Sequence, residues 1–421
     1  MASTARGMID VFLKSADWKF FQYIIVLRVV LLSFFTLIMM SSGVSEELVL
    51  LCLFVYLFLS TIYVSLVKQL YASFPQLTKS VSLVVASLIL FAYTYVSAFS
   101  IELSALMYIT AVSILVGLCD LCTSDCNLSI QNGASKLGFD SVLALSLSSF
   151  ICAILIAFSY PVFGYLADLD VSFMIYFVAA LLLLLPFLFN NGAGHVSENV
   201  SIYRSADKLP LGVYLQFILS PLFTVVAYMG RLYIFPLFFI AAVQSYGFDG
   251  SVFKWLGVFF AFIMLFALFS KRLVNGFSLG GEASMLFGFV SGVFSWMVIA
   301  YLYQSDHSVL NLCIATFFYM FFDITSKFWN AGYMSSLYQL AELNSKDSES
   351  ININHRVYFT KHAQFSKLCI AVGFLLFYVF YGVVSPPDLM NVFCCIAIMY
   401  AVFYVFITKK KSHRLFSVRE S

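Results

Sequence analysis

A bundle of twelve membrane-spanning helices with both termini in the cytoplasm is the all-α fold class that this sequence predicts, and three observations predict it. Of the 421 residues, 62% are hydrophobic and 10% charged, with 48 Phe and 25 Tyr. A soluble domain carries roughly 25% charge, and no single soluble core has room for so much apolar surface. The chain also holds twelve apolar stretches close to the ~20 residues that a helix needs to cross a bilayer. Finally, the lysines and arginines outside the middles of those stretches, all but Lys254, fall in alternate connections.

The stretches lie near 20–42, 48–66, 80–99, 104–119, 141–160, 172–189, 219–243, 252–269, 284–303, 308–326, 367–384 and 390–407. Ahead of the first, residues 1–19 set Met8, Val11, Phe12 and Trp18 among Asp10, Lys14 and Asp17, the pattern of a short interfacial helix. Helix 1 is too long for the apolar core of a cleavable signal and lacks a small-residue cleavage site, so none is expected. Connections 43–47, 100–103, 161–171, 244–251, 304–307 and 385–390 contain no Lys or Arg and only acids, among them Glu46, Glu102, Asp168, Asp249, Asp306 and Asp388. The alternate connections carry Lys68 and Lys79, Lys136, Arg204 and Lys208, Lys271 and Arg272, then Lys346, Arg356 and Lys361. Both termini join them, with Arg6, Lys14 and Lys19 in front and the basic tail 409–421 behind. The positive-inside rule therefore puts the basic loops and both ends in the cytoplasm, and an even number of crossings follows. Lys254, at the outer edge of helix 8, can snorkel to the interface.

Helix 7 needs a separate argument, because residues 209–246 are too long for one simple span. A cytoplasmic amphipathic lead-in followed by one crossing is preferred over two short passes. Two passes would put Arg231 in a tight outer turn and invert every later loop.

Chemistry is read mostly from what is missing. The sequence has no GxxxxGK[ST], HExxH or GxSxG, and the glycines of NGFSLGGE (Gly276, Gly280, Gly281) fall in the turn between helices 8 and 9, where they serve the turn. Cys119, Cys122 and Cys126, in CDLCTSDC, have a spacing that could hold zinc, but no second CxxC or His pair accompanies them, so they are read as reduced thiols with no metal. No catalytic residue, cofactor or nucleic-acid partner is predicted. A polyprenyl-linked glycosyl-transfer enzyme or polymerase ranks lowest, because the longest outer segment is about a dozen residues without a basic one.

What remains is charge inside the spans. An ionised side chain in hydrocarbon costs about 2.5–3.5 kcal/mol even on permissive scales, so it faces a partner, a cavity or a pathway. Arg28 in helix 1, Arg231 in helix 7 and Asp323 in helix 10 qualify. The alternative for each is a structural ion pair between helices, Arg28 with Asp323 for instance.

Twelve helices, both ends inside and a longer polar loop at 190–211 between two sets of six resemble the major facilitator superfamily of secondary transporters. Helix 5 and its exit, IAFSYPVFGYLAD, are similar at Pro161 and Gly164 to the PxxGG end of that family's antiporter motif, with Tyr160 and Tyr165 where the motif has glycine. The GxLaDRxGR-type loop between helices 2 and 3 is absent, replaced by VKQLYASFPQLTKS; the equivalent loop of the second half keeps only Lys271 and Arg272. This is the pattern of a divergent member.

The resemblance implies six-helix halves at 20–189 and 212–408, and a central cavity lined by helices 1, 4, 7 and 10. Arg28, Arg231, Tyr23, Tyr108, Tyr228 and Tyr233 are then the substrate-binding candidates, Asp323 the coupling candidate, and Pro161 and Gly164 the gating pair. Two arginines against one aspartate favour an anionic solute. The expected function is alternating-access movement of a small anionic or amphipathic solute, proton-coupled or by antiport, in a bacterial inner membrane. The rival is a flippase for a lipid-linked saccharide. The partners are the bilayer and a small-molecule or lipid-linked solute.

Overall fold

The computed structural model describes Phe12 and residues 15–136, 141–189, 211–247, 251–275, 281–305, 307–343 and 365–419. Among these residues the chain forms twelve helices. They are α1 (Ala16–Ser41), α2 (Glu46–Ser73), α3 (Pro75–Val96), α4 (Ile101–Lys136), α5 (Ser141–Leu169) and α6 (Val171–Phe189), then α7 (Leu211–Met229, continued through Gly230–Ile234 into Phe235–Ser245). There follow α8 (Val252–Asn275), α9 (Gly281–Gln304), α10 (Val309–Leu343), α11 (Phe365–Phe380) and α12 (Pro386–Arg419). Ten contain a stretch long and apolar enough to cross a membrane, and α6 and α11 add shorter ones, Val171–Pro186 and Phe365–Phe380. The chain is a multi-pass membrane protein.

Local chemistry sets the starts. Ser15 caps α1 through the Trp18 N–H at 3.2 Å, Ser45 caps α2 through Leu48 at 3.3 Å, and Pro75 opens α3, where a missing N–H costs nothing. Helix 7 is one pass, with a candidate span of Leu215–Ser245, so two short passes are excluded.

Several ends differ from expectation. Helix 5 was expected to end at 160, yet α5 runs through Pro161 to Leu169, because Phe163 and Ala167 prolong its buried face. The outer segment of about a dozen residues thereby shrinks to Asp170 between α5 and α6. Asp168 is part of α5 and accepts the N–H groups of Phe253 and Lys254, both at 3.0 Å, at the start of α8. A carboxylate there satisfies orphan donors and complements the helix dipole. Gly281 is the first residue of α9, not part of a turn. Helix α10 continues to Leu343 and α12 to Arg419, through the basic tail. Phe12 stacks on Trp18 at 5.0 Å, and both pack against Cys126, Ile130 and Ala144. The central loop expected at 190–211, with Arg204 and Lys208, lies outside the described residues as far as 210, as do residues 344–364 with Lys346, Arg356 and Lys361, and also Gly276 and Gly280.

The described helices fall into two compact units. One comprises α1–α6 with α8 as far as Leu268; the other comprises α7, the end of α8 and α9–α12. In the first, α4 packs on α1, α2 and α3, and α3 on α6. Here Gly164 and Gly257 bring α5 and α8 into backbone contact: a Cβ at either would lie 2.5 Å from a carbonyl oxygen, of Phe253 and Tyr160 respectively. In the second unit α9 lies along α10 and α12, and α7 against α12.

Candidate functional site

Pro236 decides the local shape of α7. It has no N–H for the carbonyl four residues back and its ring crowds that carbonyl, so the ladder slips by one residue. The Phe235 N–H reaches the Gly230 carbonyl, and Gly230–Ile234 forms a π turn. Gly230 is required on the packed side, since a Cβ there would lie 2.2 Å from the Trp296 ring of α9. The residue that follows it in the turn is Arg231.

Arg231 meets α10. Its Nη2 donates to Asp323 Oδ1 at 3.3 Å, and its guanidinium lies over the rings of Phe322, 4.9 Å away, and Tyr319, 5.7 Å away. One turn further along α10, Lys327 Nζ is 3.2 Å from Asp323 Oδ2 as an ion pair, and it also donates to Ser270 Oγ on α8. Asp323 Oδ2 is buried. The three side chains carry one net positive charge. Their exposure is unequal, at 39% for Arg231, 23% for Lys327 and 12% for Asp323, so the charge nearest open space is the guanidinium.

That space is a cavity of about 360 Å³ between α7, α10 and α11. Arg231 lines it together with Phe223, Phe322, Trp329 and Tyr333, and with Ser220, Thr224, Ser326, Asn330 and Ser366 as hydrogen-bonding groups. The rings form one ladder: Phe223 stacks on Phe322 at 5.6 Å and on Trp329 at 5.0 Å, and Trp329 meets Tyr333 at 5.0 Å. Volumes of about 300–1,000 Å³ with apolar walls and a few convergent polar groups are typical of small-molecule sites.

The remaining predicted residues are dispersed. Arg28, in the first unit, bonds the Cys119 thiol on α4. Tyr108 is fully buried, with its hydroxyl donating to the Leu31 carbonyl at 2.9 Å and its ring against Phe35 and Tyr93. Tyr233 is buried in the π turn, Tyr228 is half-buried on α7 and Tyr23 is exposed on α1. Pro161 and Gly164 belong to the contact of α5 with α8. Cys119, Cys122 and Cys126 share one buried face of α4. Cys122 accepts a hydrogen bond from the Tyr71 hydroxyl at 3.6 Å, and burial pushes the Cys126 thiol up to about 12. No group of three metal-ligating side chains occurs among the described residues.

Sequence reasoning missed Lys327, Phe223, Trp329 and Tyr333. Helix 10 was expected to end at 326, which left Lys327 just outside the span. A signal was there: Phe322, Trp329, Tyr333 and Leu337 continue one apolar face at spacings of seven, four and four. Missed too was the burial of Lys79, whose ammonium pairs with Asp17 at 2.9 Å over the Phe20 ring.

No protein-family model matches the sequence, and no curated protein matches it. Solved structures do. The chain superposes on the nucleoside transporter NupG with a TM-score of 0.69 at 12% identity, covering 94% of this chain and 99% of that one. A POT family transporter in complex with a thioalcohol-conjugated peptide gives 0.62 at 12% identity over 96% of each chain. A D-xylose–proton symporter gives 0.58 at 13% identity, over 94% of this chain and 96% of the other. The chain has the major facilitator fold. Lengths agree almost end to end with these transporters, and at 12–13% identity the likeness is one of fold.

Proposed function

We propose that this protein is a secondary transporter that moves a small acidic or amphipathic solute by alternating access, with Arg231 as the contact for the solute's negative charge. The observation that carries the proposal is the half-open guanidinium of Arg231 facing the α7/α10/α11 cavity while its counter-ion Asp323 is nearly closed off. The solved proteins of this fold include a nucleoside transporter, a transporter in complex with a conjugated peptide and a D-xylose–proton symporter, which supports movement of a polar solute of similar size. Asp323 is the coupling candidate. It is the acid that holds both Arg231 and Lys327, and a solute's negative charge would compete with it for the same cations.

Uptake into proteoliposomes tests this, with and without an imposed pH gradient, for native chain, Arg231→Gln and Asp323→Asn. Native chain moves an acidic solute saturably and accumulates it with the gradient. Arg231→Gln loses movement by roughly 100-fold, in line with removal of a charged hydrogen-bonding partner. Asp323→Asn keeps exchange and loses accumulation; gradient-driven accumulation in that variant would sink the coupling role.

A further inference from the structure

Lys327 does not line the cavity, yet its ammonium holds the second oxygen of the carboxylate whose first oxygen holds Arg231. Arg231 and Asp323 alone sum to zero charge, a balance that suits a neutral solute. With Lys327 sharing Asp323 the trio sums to plus one, and the excess is expressed at Arg231, its most exposed member. We propose that Lys327 is a positioning residue that sets the charge preference of the cavity. By drawing part of the Asp323 charge away from Arg231, it makes the site select solutes with a single compact negative charge, of the monocarboxylate class. The inference rests on the cavity being the solute site.

The geometry gives the assignment its direction. Lys327 pairs with Asp323 Oδ2 at 3.2 Å, and the same ammonium donates to Ser270 Oγ, which holds it in place. Ser326, the residue before Lys327, lines the cavity and donates to the Asp323 carbonyl, so the carboxylate-bearing turn and the cavity wall are one piece of helix. A monocarboxylate at Arg231 brings the total to zero. A dianion overshoots it, and a neutral solute leaves the excess charge uncompensated in a wall of rings and hydroxyls.

The experiment is equilibrium binding to the purified full chain in detergent, using pairs that differ in the acid group: benzoate and benzamide, nicotinate and nicotinamide, glucuronate and glucose. The variants form a charge ladder. Lys327→Gln makes the trio zero, Lys327→Arg keeps plus one, Asp323→Asn makes plus two, and the double variant Asp323→Asn with Lys327→Gln restores plus one. The preference for the acid over its neutral twin should fall roughly tenfold in Lys327→Gln, hold within about twofold in Lys327→Arg and the double variant, and rise in Asp323→Asn. A merely structural lysine gives another pattern, in which Lys327→Gln weakens both twins alike and the double variant is worst; that pattern overturns the proposal. So does a native chain that binds no acid in any pair. Size-exclusion profiles identify misfolded variants, and the double variant and Lys327→Arg still decide the question if Lys327→Gln fails to fold. Acid binding along the ladder with no movement in proteoliposomes would refute transport and leave this inference standing; movement of solutes by a chain that binds no acid would do the reverse.

Discussion

At the residue scale the guanidinium of Arg231 has two roles that a substitution can separate. It supplies charge, and its flat face rests on Phe322 while one edge meets Asp323. Lysine keeps the first role and loses the second, since an ammonium is a point charge without a planar fork. Arg231→Lys should therefore retain the acid preference but weaken binding of the preferred acid by about tenfold, whereas Arg231→Gln should abolish the preference; the binding titration that compares native chain with both variants reads this directly. Cys126 offers a second check. Burial both closes off this thiol and pushes it up, so the folded chain should label at this position at least about a hundredfold more slowly than at an exposed cysteine. Peptide mapping after maleimide treatment, before and after unfolding in dodecyl sulfate, measures it. Arg231 and Asp323 were legible in the sequence because a charge in an apolar run is costly wherever it points. Lys327 was not, because a lysine at the apparent end of a helix looks like one that reaches the interface. The aromatic ladder was hidden for a different reason: with 48 Phe in the chain, no single ring stands out.

At the element scale, α9 and α10 touch backbone to backbone. A Cβ on Gly288 would lie 2.2 Å from the Trp329 amide nitrogen, and one on Gly332 would lie 2.3 Å from that of Met285. Between them the Ser284 hydroxyl donates to the Phe328 carbonyl at 3.1 Å. Gly288 and Gly292 form a GxxxG pair on the packed face of α9, the small-residue arrangement that lets membrane helices approach closely. Backbone atoms cannot rotate away, so Gly288→Leu must push α10 outward and should destabilise the chain by about 3 kcal/mol or more. Since Trp329 and Asp323 ride on α10, solute binding should fall with it. Differential scanning fluorimetry in detergent reads the first effect and binding titration the second; a variant that melts and binds like native protein would show that this crossing is not tight. All twelve helices could be located from hydropathy, because a bilayer demands length and apolarity whatever the packing. Their ends were less legible. The apolar stretch of helix 5 was bounded at 160, yet membrane helices tolerate proline and α5 runs on through Pro161, and α4 and α10 run beyond their apolar cores on polar residues that packing rather than hydropathy keeps helical.

At the scale of the whole molecule, the distribution of charge makes a claim that helix packing alone does not. The connections after α1, α3, α5, α7, α9 and α11 are acidic or neutral, and apart from Lys254 and the embedded Arg28 and Arg231 the lysines and arginines gather in or beside the alternate connections: Lys68 and Lys79 flank the α2–α3 turn, Lys136 ends α4, and Lys271 and Arg272 lie in the last turns of α8. Translocating a basic loop is opposed during insertion, so the turn between α9 and α10 should face outside and the turn between α2 and α3 inside. Ser305 and Ser73 are exposed positions in or beside these turns. In a background where the native cysteines that are not buried, Cys313, Cys369 and Cys395, are alanine, Ser305→Cys should react with a membrane-impermeant maleimide on intact cells. Ser73→Cys should react only after permeabilisation. The buried native thiols provide a low blank in both cases, because a thiol needs both access and ionisation to react. The reverse pattern would put both termini outside and turn the Arg231 cavity end for end with respect to the membrane. Labelling of both positions on intact cells would mean that a helix between residues 73 and 305 does not cross, and the shorter apolar stretch of α6, Val171–Pro186, would be the first to examine.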